Sequence, residues 1–168
     1  QGSPLFLAFQ AFLHVRGAAL EISPLAALAG EERQHFARAL AGVLLENAAQ
    51  RAAALVTLCQ GLSPGQIEAG VFKTLTKLAV DADAALAFED AETKVDSRRV
   101  IEAAVRNLYG GGSIAGGEWI APVLPDILGE RIVAEALADA PSLLTAYFDA
   151  HDADAVQAFI VLNRISRP

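Results

Sequence analysis

Residues 4–20 carry apolar side chains around most of a helical circumference. The strongly polar side chains among them are Gln10, His14 and Arg16, and the first two lie one helical turn apart on a narrow stripe. The Ser-Pro pair at the start supplies an N-cap and a favourable first helical residue. The pattern predicts a helix that other helices or a second copy of the chain must surround, with a candidate interface formed by Phe6, Phe9, Phe12 and Leu13.

A second long pattern covers residues 31–60, where apolar residues recur at steps of three and four. Gly61 ends this pattern, and a short apolar turn over residues 24–30 precedes it. One helix of this length would be about 45 Å long, which exceeds the roughly 40 Å diameter of a compact chain of this size. We therefore expect either a bend, for which Gly42 is the best place, or an end that projects into a partner.

A third helical pattern begins with a Ser-Pro pair at Ser63 and continues to Ala82. Gln66 lies three residues after the serine, which is the spacing of a capping box. An acidic stretch over residues 81–96 then indicates a helix end followed by a polar connection.

The fourth predicted helix starts at an N-cap, either Asp96 or Ser97, and ends at Leu108. After it, five glycines in eight positions over residues 110–117 cannot sustain a helix, so we expect an irregular segment that extends to Pro125. The helical pattern returns afterwards in three short pieces, at about 130–139, 142–150 and 153–165.

Composition supports helix throughout. Alanine makes up about a fifth of the 168 residues, while aromatic residues make up 7% and β-branched residues are comparatively few. The sequence predicts a single all-α domain over residues 3–168, a bundle of six to eight helices with one Gly-rich irregular segment. Residues 1–2 resemble the remnant of a cleavable tag.

Net charge and cysteine content limit the classes of partner and the cellular location that we expect. The net charge of −7 repels phosphate backbones and anionic lipid surfaces, which argues against nucleic acid and membranes as partners. The single cysteine cannot form an internal disulfide, and polar residues interrupt the first apolar run before it reaches membrane-spanning length. We expect a cytoplasmic protein.

Sequence motifs for catalysis and metal binding are incomplete. Ser113, Asp126 and His151 follow the chain order of a Ser-Asp-His triad, but the nucleophile elbow requires a strand-to-helix turn that an all-α chain lacks. Glu32 and His35 have the spacing of a di-iron helix without a second such pair. We therefore assign no catalytic, cofactor-binding or metal-binding residue and expect no cofactor.

The leading functional prediction is a non-catalytic helical domain that acts through protein contact, including homo-oligomerisation, because 54% of its residues are hydrophobic. The alternative is a sensor or carrier of a small apolar ligand, with a pocket between helices closed by residues 110–125. An unrecognised enzyme or metal site is the third. The residues assigned to the ligand pocket are Arg98, Arg106, Tyr109 and Trp119.

Overall fold

The computed structural model describes residues 24–40, 45–114, 117–124, 126–151 and 155–166. The predicted opening helix over residues 4–20 lies outside these ranges. Its candidate interface residues Phe6, Phe9, Phe12 and Leu13 therefore stay a prediction from the sequence.

The described residues form eight α-helices, one short 3-10 turn and one two-stranded sheet, which confirms the all-α class. The helices are α1 (Pro24–Ala39), α2 (Glu46–Leu58), α3 (Pro64–Glu68), α4 (Val71–Asp81), α5 (Ala91–Tyr109), α6 (Asp126–Asp139), α7 (Ser142–Ala150) and α8 (Ala155–Ile165). The 3-10 turn (Ala84–Leu86) lies between α4 and α5, and the strands β1 (Gly110–Ile114) and β2 (Gly117–Ile120) pair antiparallel as a hairpin.

Helix α2 lies at the centre of the described residues. It packs against α4 and α6 most extensively, and also against α1, α5 and α8. Ten of its residues are buried, and five of these are alanines, whose small side chains allow the surrounding helices to approach closely. Leu55 and Leu58 supply large apolar contacts, and both are completely buried.

The prediction of one helix over residues 31–60 is wrong. Helix α1 ends at Ala39 and α2 begins at Glu46, while the predicted short turn over residues 24–30 is the first part of α1. Gly30 lies inside α1 and does not end a helix there. A helix tolerates an internal glycine at a cost of about 1 kcal/mol. The apolar residues of the two successive amphipathic helices keep the spacing expected of one continuous helix. The sequence pattern therefore did not reveal the break between α1 and α2. Gly42, the predicted bend, lies outside the described residues.

The predicted capping box at Ser63 is confirmed: the Gln66 amide donates to Ser63 Oγ, and the Ser63 amide donates to Gln66 Oε1 at 2.9 Å. The helix it begins is short, because Gly70 in a left-handed conformation separates α3 from α4. The predicted caps of the next helix, Asp96 and Ser97, are wrong. Asp90 caps α5 by accepting from the Thr93 amide at 2.7 Å, and Ser97 is buried inside the helix.

The Gly-rich segment forms a β-hairpin rather than the irregular segment that we predicted. Leu62 and Ile120 exchange two backbone hydrogen bonds, of 2.8 and 3.0 Å, which attach β2 to the connection between α2 and α3. The Trp119 ring lies directly over Gly111, where a Cβ would come within 1.9 Å of the ring. The hairpin therefore depends on the glycine at position 111 in β1 and on backbone pairing with Leu62, which lies outside the hairpin.

Arg51 is the buried charge of the central helix, with 5% of its surface exposed. Its Nη1 lies 3.0 Å from Oδ2 of Asp83, which is itself buried, and its Nη2 donates to Asp139 at the end of α6. A buried guanidinium is tolerated when carboxylates surround it, and here they come from two separate segments. Arg51 thus fixes the connection after α4 and the end of α6 against α2.

The two carboxylates should contribute unequally to stability. We expect Asp83→Asn to lower the free energy of unfolding by about 3–5 kcal/mol, because it leaves a buried guanidinium without its buried counter-charge. Asp139→Asn should cost at most about 1 kcal/mol, since the Asp139 side chain is 62% exposed. Urea denaturation of both variants compares them directly, and equal losses would contradict this ranking.

Two helical glycines should respond to alanine with opposite signs. A Cβ at Gly129 in α6 would fall 2.6 Å from the carbonyl oxygen of Val123 and 2.9 Å from Cγ2 of Thr57, whereas a Cβ at Gly30 in α1 would meet none of the described residues within 4 Å. We expect Gly129→Ala to lower the free energy of unfolding by about 1–3 kcal/mol and Gly30→Ala to raise it by up to about 1 kcal/mol. Chemical denaturation measures both, and stabilisation by Gly129→Ala would contradict the close approach.

Candidate functional site

The outward side of α8 is apolar, which is unusual for a helix at a protein surface. Val156, Phe159 and Ile160 are exposed by 69%, 60% and 39%, and at 100° per residue they fall within an arc of about 100° that also includes Asn163. We call these four residues the outer face of α8. The opposite side of the helix, with Ala158 and Val161, is buried against the core.

An aromatic stack holds the outer face in place. The ring of Phe148 in α7 stacks on Phe159 with centroids 5.3 Å apart, and Tyr147 packs edge-on against Phe148 at 5.4 Å. Tyr147 is completely buried, so the stack connects the exposed ring to the core. Phe159 therefore presents its ring to solvent from a supported position, as apolar contact residues in interfaces do.

The sequence contains a signal for this face that our prediction of the interface did not use. Eight of the eleven residues of α8 are apolar, too many for one buried side, and they leave apolar side chains on the other side as well. We predicted the helix correctly but placed the interface in residues 4–20, where apolar character is stronger.

The four residues predicted to form a ligand pocket do not come together at one ligand. The Tyr109 hydroxyl donates to Glu32 of α1, Arg106 pairs with Glu118 of β2, and Arg98 Nε donates to the carbonyl oxygen of Lys94 at 3.3 Å. The Arg106 guanidinium also lies 5.1 Å from the centre of the Phe72 ring. Eight residues along one helix separate the Cα atoms of the two arginines by about 12 Å, and each guanidinium has a different partner.

Trp119 borders an open groove of about 630 Å³. The other lining residues come from positions 59–64, Gln66, Ile120, Pro122 and Gln157 of α8.

Among the candidates for catalysis and metal binding, Cys59 and His151 both lie close to Tyr147. Cys59 is buried with its Sγ 3.4 Å from the Tyr147 hydroxyl, and the Tyr147 and His151 rings lie 5.6 Å apart. The side chains of Ser113 and Asp126 lie outside the described residues. Within the part of the chain that the structure describes, no three His, Cys, Asp or Glu side chains come together in a way that could hold a metal ion.

Burial changes the acidity of one carboxylate at the α1–α5 contact. Desolvation raises the pKa of Glu32 above its usual value of 4.5, and the nearby His35, whose Nδ1 lies 3.5 Å from Oε2, opposes that rise. Glu32 therefore contacts both the His35 ring and the Tyr109 hydroxyl. In contrast, the amide of Thr93 lowers the pKa of the exposed N-cap Asp90.

Comparison of the chain with protein-family models, with curated proteins and with solved structures finds no match. Among the described residues, every helix is too short or too polar to cross a lipid bilayer. The function of the chain must therefore be inferred from its own surface.

The raised pKa of Glu32 predicts a pH-dependent stability. The folded protein binds this proton more tightly than the unfolded chain does, so the resulting stabilisation is complete below about pH 4.5 and is lost as pH rises through the higher, folded pKa. Glu32→Gln removes the charge and still offers Tyr109 an acceptor oxygen. We expect it to raise Tm at pH 7.5 relative to the parent chain, with the difference disappearing at pH 4.

The matched control is Glu89→Gln, which changes an exposed carboxylate in the connection before α5. Thermal denaturation followed by circular dichroism should show little change for this control at either pH. A loss of Tm for Glu32→Gln at pH 7.5 would show that the ionised carboxylate stabilises the α1–α5 contact.

Proposed function

We propose that this helical domain acts through protein contact and that two copies of the chain associate through the outer face of α8. The observation that carries the proposal is the exposure of Val156, Phe159 and Ile160 on one side of a helix whose other side is buried. Contiguous exposed apolar side chains of this kind mark contact surfaces, since leaving them in water is unfavourable.

The charge distribution favours α8 as the place where copies meet. The chain carries a net charge of −7, so two copies repel each other on average. Helix α8 contains one charged residue, Arg164, and its outer face contains none. The outer face itself therefore brings no carboxylates together when two copies meet through it.

A two-fold arrangement needs one surface that matches itself. In such a dimer the same residues of both copies meet across the symmetry axis. A straight strip of apolar side chains with Asn163 along it satisfies this requirement, because the amide of asparagine both donates and accepts hydrogen bonds and can pair with its symmetry mate or with backbone. The aromatic stack of Phe148 on Phe159 would supply the rigid centre of the contact.

The two other predicted functions receive less support. The groove beside Trp119 is open to solvent, and Arg106 and Tyr109 are engaged with Glu118 and Glu32. Binding of a small apolar ligand in that region, an unrecognised enzymatic activity and a contribution of residues 4–20 to association stay predictions. We also propose a cytoplasmic location, on the basis of the single cysteine.

A charge placed in the outer face should prevent association. We expect the parent chain to have a mass of twice 17.6 kDa at high concentration, and Phe159→Asp to weaken the dimer by roughly thirty-fold or more, as loss of a central aromatic contact does. Sedimentation equilibrium over a range of concentrations measures the dissociation constant of each.

Phe88→Asp provides a matched control, because Phe88 is 99% exposed in the connection before α5 and the chemical change is identical. The control should dimerise like the parent chain. A monomeric parent chain, or dissociation by Phe88→Asp rather than by Phe159→Asp, would contradict the assignment of the contact to α8. Unchanged circular dichroism verifies that both variants are folded.

A further inference from the structure

The open groove beside Trp119 includes no residue of the outer face of α8, and it is free of charge. Its volume of about 630 Å³ lies within the roughly 300–1,000 Å³ of small-molecule sites. None of the eleven described residues that line it is charged, although 20% of the residues of the chain are. Because the lining offers no counter-charge, a neutral ligand suits this groove better than an ion.

The Gly-rich hairpin fixes the position of the indole ring of Trp119 in this groove. The ring lies over Gly111, where a Cβ would come within 1.9 Å of it, and the residue is still 38% exposed. Backbone pairing of Ile120 with Leu62 attaches the strand that carries Trp119 to the connection between α2 and α3. The groove therefore has a flat apolar surface that is in place before a ligand binds, which reduces the entropic cost of binding.

Three glutamines supply hydrogen-bonding groups to the lining. Gln60 and Gln157 are exposed, and their side chains form no hydrogen bond with another described residue. Gln66 accepts from Ser63 through Oε1, while its side-chain N–H groups, like the indole N–H of Trp119, have no partner in the described part of the chain. A carboxamide both donates and accepts hydrogen bonds, as a hydroxyl group does.

The backbone at Gln60 supports a role for its side chain. Its φ is 57°, in the left-handed region, and it lies just after the end of α2, where glycine is the usual residue. Glycine adopts this conformation without steric cost, whereas a glutamine is strained there. Strained backbone positions of this kind are concentrated at functional sites such as ligand clamps.

We propose that this groove binds a short neutral saccharide. A sugar ring whose substituents are all equatorial, as in β-linked glucose, presents a flat face of C–H groups that would lie against the indole of Trp119. Its hydroxyl groups would pair with the side-chain amides of Gln60, Gln66 and Gln157. A proline-rich peptide, which aromatic grooves also bind, offers carbonyl acceptors but few donors and therefore matches fewer of these groups.

Four probes, titrated into the full chain at pH 7.5, test the class of ligand. Cellotriose and triacetylchitotriose are neutral, β-linked trisaccharides, and we expect at least one to bind with a dissociation constant in the millimolar range or tighter. The analogue of cellotriose with a carboxylate at each C6, and decaproline, should each bind at least ten-fold more weakly. Calorimetry measures the affinity, and the fluorescence of Trp119, which is the single tryptophan of the chain, should change on binding.

Variants locate the site. Trp119→Ala should weaken trisaccharide binding at least ten-fold, whereas Phe88→Ala, which removes an aromatic ring that is 99% exposed outside the groove, should leave it unchanged. Gln60→Gly should weaken binding while raising Tm, because glycine removes the backbone strain, and it provides a second variant if Trp119→Ala does not fold. Absence of binding by both neutral trisaccharides, preference for decaproline or the carboxylate analogue, or unchanged binding by folded Trp119→Ala or Gln60→Gly would each overturn the proposal.

Discussion

The enclosure of α2, with Arg51 as its buried charge, is the constraint on which the rest of the described structure depends. A helix rich in alanine can be surrounded because its neighbours approach its backbone closely, and five other helices contact it. The guanidinium adds a directional requirement that apolar packing alone does not impose. It needs a counter-charge, which the buried Asp83 and the more exposed Asp139 supply from two different segments. The positions of the connection after α4 and of α6 follow from this.

The arrangement around α2 also determines what is left at the surface. Helix α8 contacts α2 and α6 through one side, and its remaining apolar side chains stay exposed because the core has no further place for them. The most exposed apolar strip of the helix therefore coincides with its least charged side. Packing leaves this exposed apolar strip on α8, whereas the exposed side chains of α5 include the charged residues Glu92, Asp96 and Arg99.

Local chemistry explains which features could be predicted from the sequence. The helices after residue 126 and the capping box at Ser63 depend on residues within a few positions of each other, and both were predicted. The β-hairpin was not, since it depends on backbone pairing of Ile120 with Leu62 and on the Trp119 ring covering Gly111. The ion pairs of Arg51 connect residues up to 88 positions apart, which no helical periodicity reveals. The outer face of α8 could have been predicted, because the excess of apolar residues in this helix is visible in the sequence.

Helix α2 should be enclosed within each single chain, whereas α8 should be protected only when a second copy binds. Hydrogen exchange followed by mass spectrometry tests both parts in one experiment, because protection of an amide reports the opening of the segment that contains it. We predict that peptides from residues 46–58 exchange most slowly at every protein concentration, and that peptides from residues 155–165 become more protected as concentration rises. Fast exchange in residues 46–58, or protection of residues 155–165 that is independent of concentration, would contradict this distinction between the two helices.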